Sequence, residues 1–209
     1  MDLKENLILT TAYFPPVQYF AEIVKHKNVF IEIHENYLKQ SYRNRCIIYS
    51  ANGPLSLVVP VKLGSFHKIS IRDLRIDNSR RWQTMHLRAM KAAYSSSAFY
   101  EFFTDELAVF FNDRYEYLLD LNSAITLKML EIIGIDRSID RTDNFCHSYK
   151  YADDFRYRLH PKKNEASGRF PLPSYFQVFG IENGFIPNMS ILDLIFNMGP
   201  ESYSYLKEC

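Results

Sequence analysis

Residues 7–33 hold the pattern that most narrows what this chain can fold into. Leu7, Ile8, Leu9, Thr10 and Thr11 form a short apolar run of buried-strand length. Pro15 and Pro16 follow, and proline is tolerated in a first helical turn, so a helix is expected over about 16–25. Val17, Phe20, Ile23 and Val24 keep helical spacing along it. A second run from Asn28 to Ile33 reads as another strand. Strand, helix and strand in so few residues is a βαβ-type unit, and such crossovers build parallel pairs.

Downstream, residues 45–50 and 55–61 read as a hairpin around Asn52-Gly53, a strong turn signal. Residues 68–76 alternate and read as one more strand. Helices are then expected from Ser79 through Trp82, His86 and Met90, over 97–111, and over 115–133 with Gly134 as the stop. Residues 136–170 read as a long loop with at most one short strand, Lys162 to Gly168 being its most flexible-looking part. A short strand over 175–180 and a helix over 190–197, capped by Ser190, complete the chain. The expected fold class is α/β: a mixed sheet that opens with the βαβ-type unit, then a helical second half. With 209 residues, 47% of them hydrophobic, one sizeable core suffices.

Charge is segregated. Residues 39–91 carry eleven Lys or Arg against two acids, a balance of +9, and the remainder carries −8. Such a block points to an anion-facing surface. Arg43, Asn44 and Arg45 form a dense donor cluster, with Lys39 and Lys62 as further candidates. If Arg43 and Arg45 lie on a strand they project to one face, each offering a fork suited to phosphate or carboxylate. On that reading Arg43→Ala should weaken ligand binding with little loss of stability. A second candidate is the helix start after Pro15-Pro16, where Tyr13 and Gln18 would face a ligand. His86, four residues after Trp82, is the candidate general acid or base. No second ligand stands at zinc spacing from it. Magnesium held by a phosphate ligand is the one cofactor considered, with Glu32, Glu35, Asp153 and Asp154 as acids to carry it. Cys46, Cys146 and Cys209 form no close pair, Cys46 reading as buried and Cys209 as a frayed end. No glycine-rich phosphate loop is present. No run approaches a membrane span, and the first residues lack a basic leader, so a cytoplasmic location is expected.

Four segments, in order, resemble one family. They are Leu9 to Phe20 with its Tyr13-Phe14-Pro15-Pro16 core, Tyr37 to Arg45 leading into Leu57 to Lys62, Trp82 to His86 with Tyr94 downstream, and Ser190 to Glu201. Together they resemble the WbqC-like proteins. Thr11-Ala12 stands where that family usually has Gln-Pro, and Gln18 where it has Gly, so a ligand role of that glutamine does not carry over. The resemblance implies a single domain over 1–209 and a bacterial cytoplasmic protein of surface polysaccharide biosynthesis, the lipopolysaccharide O-antigen or capsule type of glycan. It implies a pathway rather than a reaction.

Three functions are open at this point. The first is an enzyme that binds a nucleotide-linked sugar or acyl donor and transfers an acyl or aminoacyl group. The second is a non-catalytic scaffold or regulator that binds a protein partner in glycan assembly. The third is nucleic-acid binding, which an overall charge of +1 argues against.

Overall fold

The structure is a computed structural model and describes residues 4–63, 68–162 and 172–209. The chain opens with β1 (Lys4–Thr10), α1 (Val17–Lys25) and β2 (His26–Glu32), and β1 pairs with β2 in parallel register. Leu7 and Leu9 on one face of β1 and Ile8 on the other are all buried. That two-sided burial is what a continuous apolar run requires of a strand in a parallel sheet.

A hairpin follows, β3 (Arg45–Ser50) and β4 (Gly53–Val58), antiparallel and forming a sheet of its own. Gly53 takes φ +91°, the left-handed backbone its turn demands. The helical part comprises α2 (Trp82–Tyr94), α3 (Tyr100–Asn112) and α4 (Leu118–Ile133). Two short strands then return to the parallel sheet: β5 (Ile139–Arg141) beside β2, and β6 (Asp153–Asp154) beside β1. The helices α5 (Gly180–Asn183), α6 (Ile191–Met198) and α7 (Ser202–Glu208) close the chain, with α6 and α7 packed on α1.

The α/β class, the βαβ opening and the helical second half are borne out. Parallel and antiparallel strands fall into separate sheets. Three local readings are corrected. Residues 68–76 form no strand; their backbone bonds are shared among Asn36, Val61 and Tyr117, and a 3-10 turn sits at Ile71–Asp73. Residues 175–180 form no strand, because Tyr175 and Gln177 turn inward to Asp193. The loop over 136–170 supplies two strands, of three and two residues, too short to show a period. Most of the flexible-looking stretch lies outside the described residues. Cys209 is half-buried and packs against the core. Cys46 is fully buried, as read, and burial pushes its thiol far above the ordinary range.

In order of appearance the parallel strands run 3-2-1-4 across the sheet. The chain moves outward through β2 to β5, then returns to the far side of β1. The direction of winding reverses between β1 and β6. In open α/β sheets the crevice outside the carboxyl ends of the strands at such a reversal is where ligands bind.

Two glycines separate backbone strain from crowding. Gly134 ends α4 at φ +76°, with open space where a Cβ would stand. At Gly199, φ +50°, a Cβ would lie 2.5 Å from the Phe99 ring. Gly134→Ala should cost about 1 kcal/mol from its backbone alone. Gly199→Ala should cost clearly more, as urea denaturation midpoints of the two variants will show.

Candidate functional site

Past the carboxyl ends of the strands lies a layer of buried charge. Glu32, last residue of β2, is fully buried. Its Oε1 accepts from the His34 backbone N–H at 2.7 Å and the Thr142 hydroxyl at 3.0 Å. Its Oε2 accepts from the Tyr149 hydroxyl at 3.0 Å and Arg156 at 3.4 Å. Arg156, also buried, forks onto Asp154 and donates to the carbonyls of Cys146 and His147. Burial opposes the Arg156 charge, but the bonds to Asp154 outweigh it and its pKa is raised.

A second pair lies alongside. Arg43 donates through Nε to Glu35 at 2.8 Å and through a terminal nitrogen to its other oxygen at 2.5 Å, with both residues buried. The Thr10 hydroxyl also donates to Glu35. The half-exposed Tyr157 ring faces both guanidiniums, 5.9 Å from Arg43 and 5.6 Å from Arg156. His34 sits in the same layer. Its Nε2 lies 2.9 Å from the Thr142 carbonyl, which can only accept, so Nε2 carries a proton.

Beside this layer is an open basic pocket of about 380 Å3 between residues 37–45, 58–63 and 77–80. Lys39, Asn44, Arg45 and Arg80 line it together with Tyr37 and Asp77. Lys62 adds its charge next to Asp77, whose carboxyl is held below its usual range chiefly by hydrogen bonds from Ser79, then by Arg80 and Lys62. Among the described residues Arg45 meets no carboxylate, and its Nε is buried without a hydrogen-bond partner. Tyr37 joins pocket and layer, because both Arg45 and Arg43 act on its hydroxyl. Burial nevertheless raises the Tyr37 pKa.

The residues read from sequence therefore part company. Lys39, Asn44 and Arg45 line the basic pocket, and Lys62 stands near enough to act on its Asp77. Arg43 does not join them. It lies in a 3-10 turn (Tyr42–Asn44) rather than on a strand, so it points to Glu35 while Arg45 points elsewhere. Tyr13 and Gln18 are buried, and the α1 start they flank is already filled. Val17 N–H donates to Met189 O at 2.9 Å and Gln18 N–H to Asn188 Oδ1 at 3.0 Å. His86 is buried with its Nδ1 2.8 Å from the Tyr13 hydroxyl and Trp82 against its ring. Burial lowers its pKa to about 4, so the ring is neutral at pH 7. Glu32, Glu35 and Asp154 are engaged by arginine, and Asp153 lies 3.1 Å from His26. Among the described residues no group of three or more His, Cys, Asp or Glu is placed to hold a metal. Arg156, Thr142 and His34 escaped the sequence reading. The visible signal was Glu32, an acid inside the apolar Val29-Phe30-Ile31-Glu32-Ile33 run that must find a buried cation.

The charged layer lies at the carboxyl edge of the 3-2-1-4 parallel sheet, the edge at which open α/β folds as a class place their ligands. The WbqC-like protein family model matches residues 11–167, and the chain belongs to that family. It is also similar to the uncharacterized protein Rv1507c of Mycobacterium tuberculosis, 29% identical over an alignment spanning 99% of both chains. No solved structure matches. Among the described residues no helix is long and apolar enough to cross a membrane.

Two measurements check this geometry. Arg43→Ala strands the Glu35 carboxylate in the interior, and removing one partner of a buried pair costs about 3–5 kcal/mol. Lys39→Ala, at an exposed position, should stay within about 0.5 kcal/mol. Chemical denaturation of both variants should show this contrast, the reverse of the expectation that Arg43 serves binding alone. The second concerns pH. His86 titrates near 4 when folded but near its ordinary 6.5 when unfolded, so the unfolded chain binds the extra proton between them. Its contribution is complete above pH 6.5 and is lost as pH falls toward 4. In His86→Gln the decline of stability across that window should be shallower.

Proposed function

We propose that this chain is a cytoplasmic enzyme of bacterial surface polysaccharide biosynthesis, acting as one domain on an anionic activated sugar such as a nucleotide-linked sugar. The observation that carries this reading is the basic pocket. Lys39, Arg45, Lys62 and Arg80 bring four cations to it against Asp77, and among the described residues Arg45 has no acid of its own. A phosphate or diphosphate answers that charge. Apolar walls from Val58, Pro60, Val61 and Leu63 suit the uncharged part of such a ligand. Asn44, whose Oδ1 is buried without a partner, adds a hydrogen-bond acceptor. Family membership supports the pathway, and the carboxyl-edge layer supports a reacting centre next to the anion. The group passed on is an acyl or aminoacyl group. Magnesium, if used, arrives with the phosphates. Arg43, Tyr13, Gln18 and His86 hold the frame of the site rather than touch the ligand.

A second reading, a scaffold in glycan assembly, draws on Met85 and Phe102, which are 68% and 77% exposed on the packed helices α2 and α3. Large apolar side chains left in solvent suit a protein partner.

Thermal shifts against nucleotide sugars, nucleoside diphosphates and acyl donors decide between them. A ligand at a hundred times its Kd adds about 2.7 kcal/mol, which raises Tm by roughly 5–10 °C for a chain of this size. The expected outcome is a shift with one nucleotide class that Arg45→Ala abolishes. No shift across the panel, or a shift that Arg45→Ala leaves intact, overturns the enzyme reading as stated.

A further inference from the structure

A second cleft, distinct from the basic pocket, lies between α4 and the carboxyl ends of β1, β2 and β5, with a volume of about 100 Å3. Its lining makes two opposite demands on a ligand. Arg141, last residue of β5, lines it and is exposed, and among the described residues its side chain makes no ion pair or hydrogen bond. Water solvates such an exposed guanidinium, and its planar fork is free to take a carboxylate in exchange.

The α4 side asks for the reverse. Asn122, Ser123 and Thr126 all line it from α4, Thr126 standing three and four residues from the other two and so beside each. The Ser123 hydroxyl donates its hydrogen to Leu119 O at 2.7 Å, and the Thr126 hydroxyl to Asn122 O at 2.8 Å. The Asn122 amide donates to Arg43 O at 2.8 Å, and since a carbonyl only accepts, that bond fixes which end of the amide is the oxygen. Asn122 Oδ1 is then left without a partner among the described residues. The hydroxyls of Ser123 and Thr126 have spent their single hydrogens and keep lone pairs, while the buried Asn122 amide keeps one further hydrogen, so a ligand end that faces the two hydroxyls is a donor.

Size selects among ligands that carry both ends. A cavity of about 150 Å3 holds the six heavy atoms of benzene, so this smaller cleft of about 100 Å3, open on one side, takes a ligand of no more than roughly six. Ile31, Leu127 and Ile139 supply apolar walls that leave little room for a side chain. We propose that this cleft binds a small α-amino acid, glycine or alanine in size. Its carboxylate sits on Arg141 and its ammonium on the lone pairs of α4. Binding of the amino acid does not depend on the function proposed above. Its role as the group attached to the sugar does rest on that reading.

The test is a titration followed by amide NMR shifts, using glycine, L-alanine, acetate, ethylamine and L-leucine as probes. Glycine and alanine should saturate, with shifts at Thr11, Asn122, Thr126 and Arg141. Acetate and ethylamine, each lacking one end, should bind at least about tenfold more weakly, and leucine should be excluded. Arg141→Gln and Thr126→Val should each weaken glycine by about tenfold or more, with unchanged dispersion of the spectrum as the check on folding. Arg45→Ala should leave glycine binding intact. Glycine that fails to saturate at tens of millimolar overturns the proposal, as does acetate or ethylamine binding as tightly as glycine, or glycine binding unchanged in Arg141→Gln. A chain that binds glycine but no nucleotide sugar keeps this cleft and loses the activated-sugar reading; the opposite pattern does the reverse.

Discussion

A carboxylate with no access to water must be answered completely, and Glu32 is answered by four donors from four places in the chain. The His34 N–H continues its own strand, Thr142 follows β5, Tyr149 comes from the loop beyond, and Arg156 follows β6. A buried charge with even one partner missing is costly. Glu32 therefore forces the ends of β2, β5 and β6 to meet at one depth. The strands β5 and β6 are too short to hold their places by ladder bonds alone. The charged layer and the sheet's outer strands are in this sense one structure.

That layer also explains why arginine appears in two different roles within three residues. Arg43 looks inward, spends its fork on Glu35, and is fixed by the 3-10 turn that carries it. Arg45 starts a strand, lines the basic pocket, and meets no carboxylate among the described residues. Charge alone does not distinguish them. What does is whether the backbone turns between them, and a two-residue spacing reads as the same face only on an extended chain.

The same distinction governs how much could be read from sequence. Long elements with a strong period, α1, α2, α4 and the hairpin, were legible because apolar spacing and turn residues agree there. So was the basic patch, since Lys39, Asn44, Arg45 and Lys62 do converge. What was not legible depended on partners distant in sequence. Residues 68–76 alternate like a strand but bond to three separate segments. The β5 and β6 pairings rest on two or three residues, and Arg156 becomes part of the site only through a carboxylate 124 positions earlier. His86 on an apolar stripe reads equally as catalyst or as core. Burial against Trp82 and Tyr13 decides that it packs the interior.

The shortness of β5 and β6 bears on how the protein behaves at high concentration. An open sheet ends in two rows of unpaired backbone donors and acceptors, and a long flat row of this kind templates pairing with another molecule. Here the described outer strands are three and two residues long. Arg141 at the end of one is charged and exposed, and Asp153 and Asp154 make up the other. The long, apolar, adhesive strands β1 and β2 are kept in the middle. A parallel sheet whose outer strands are held by side-chain charge more than by backbone pairing thus offers little edge of its own from which aggregation can start.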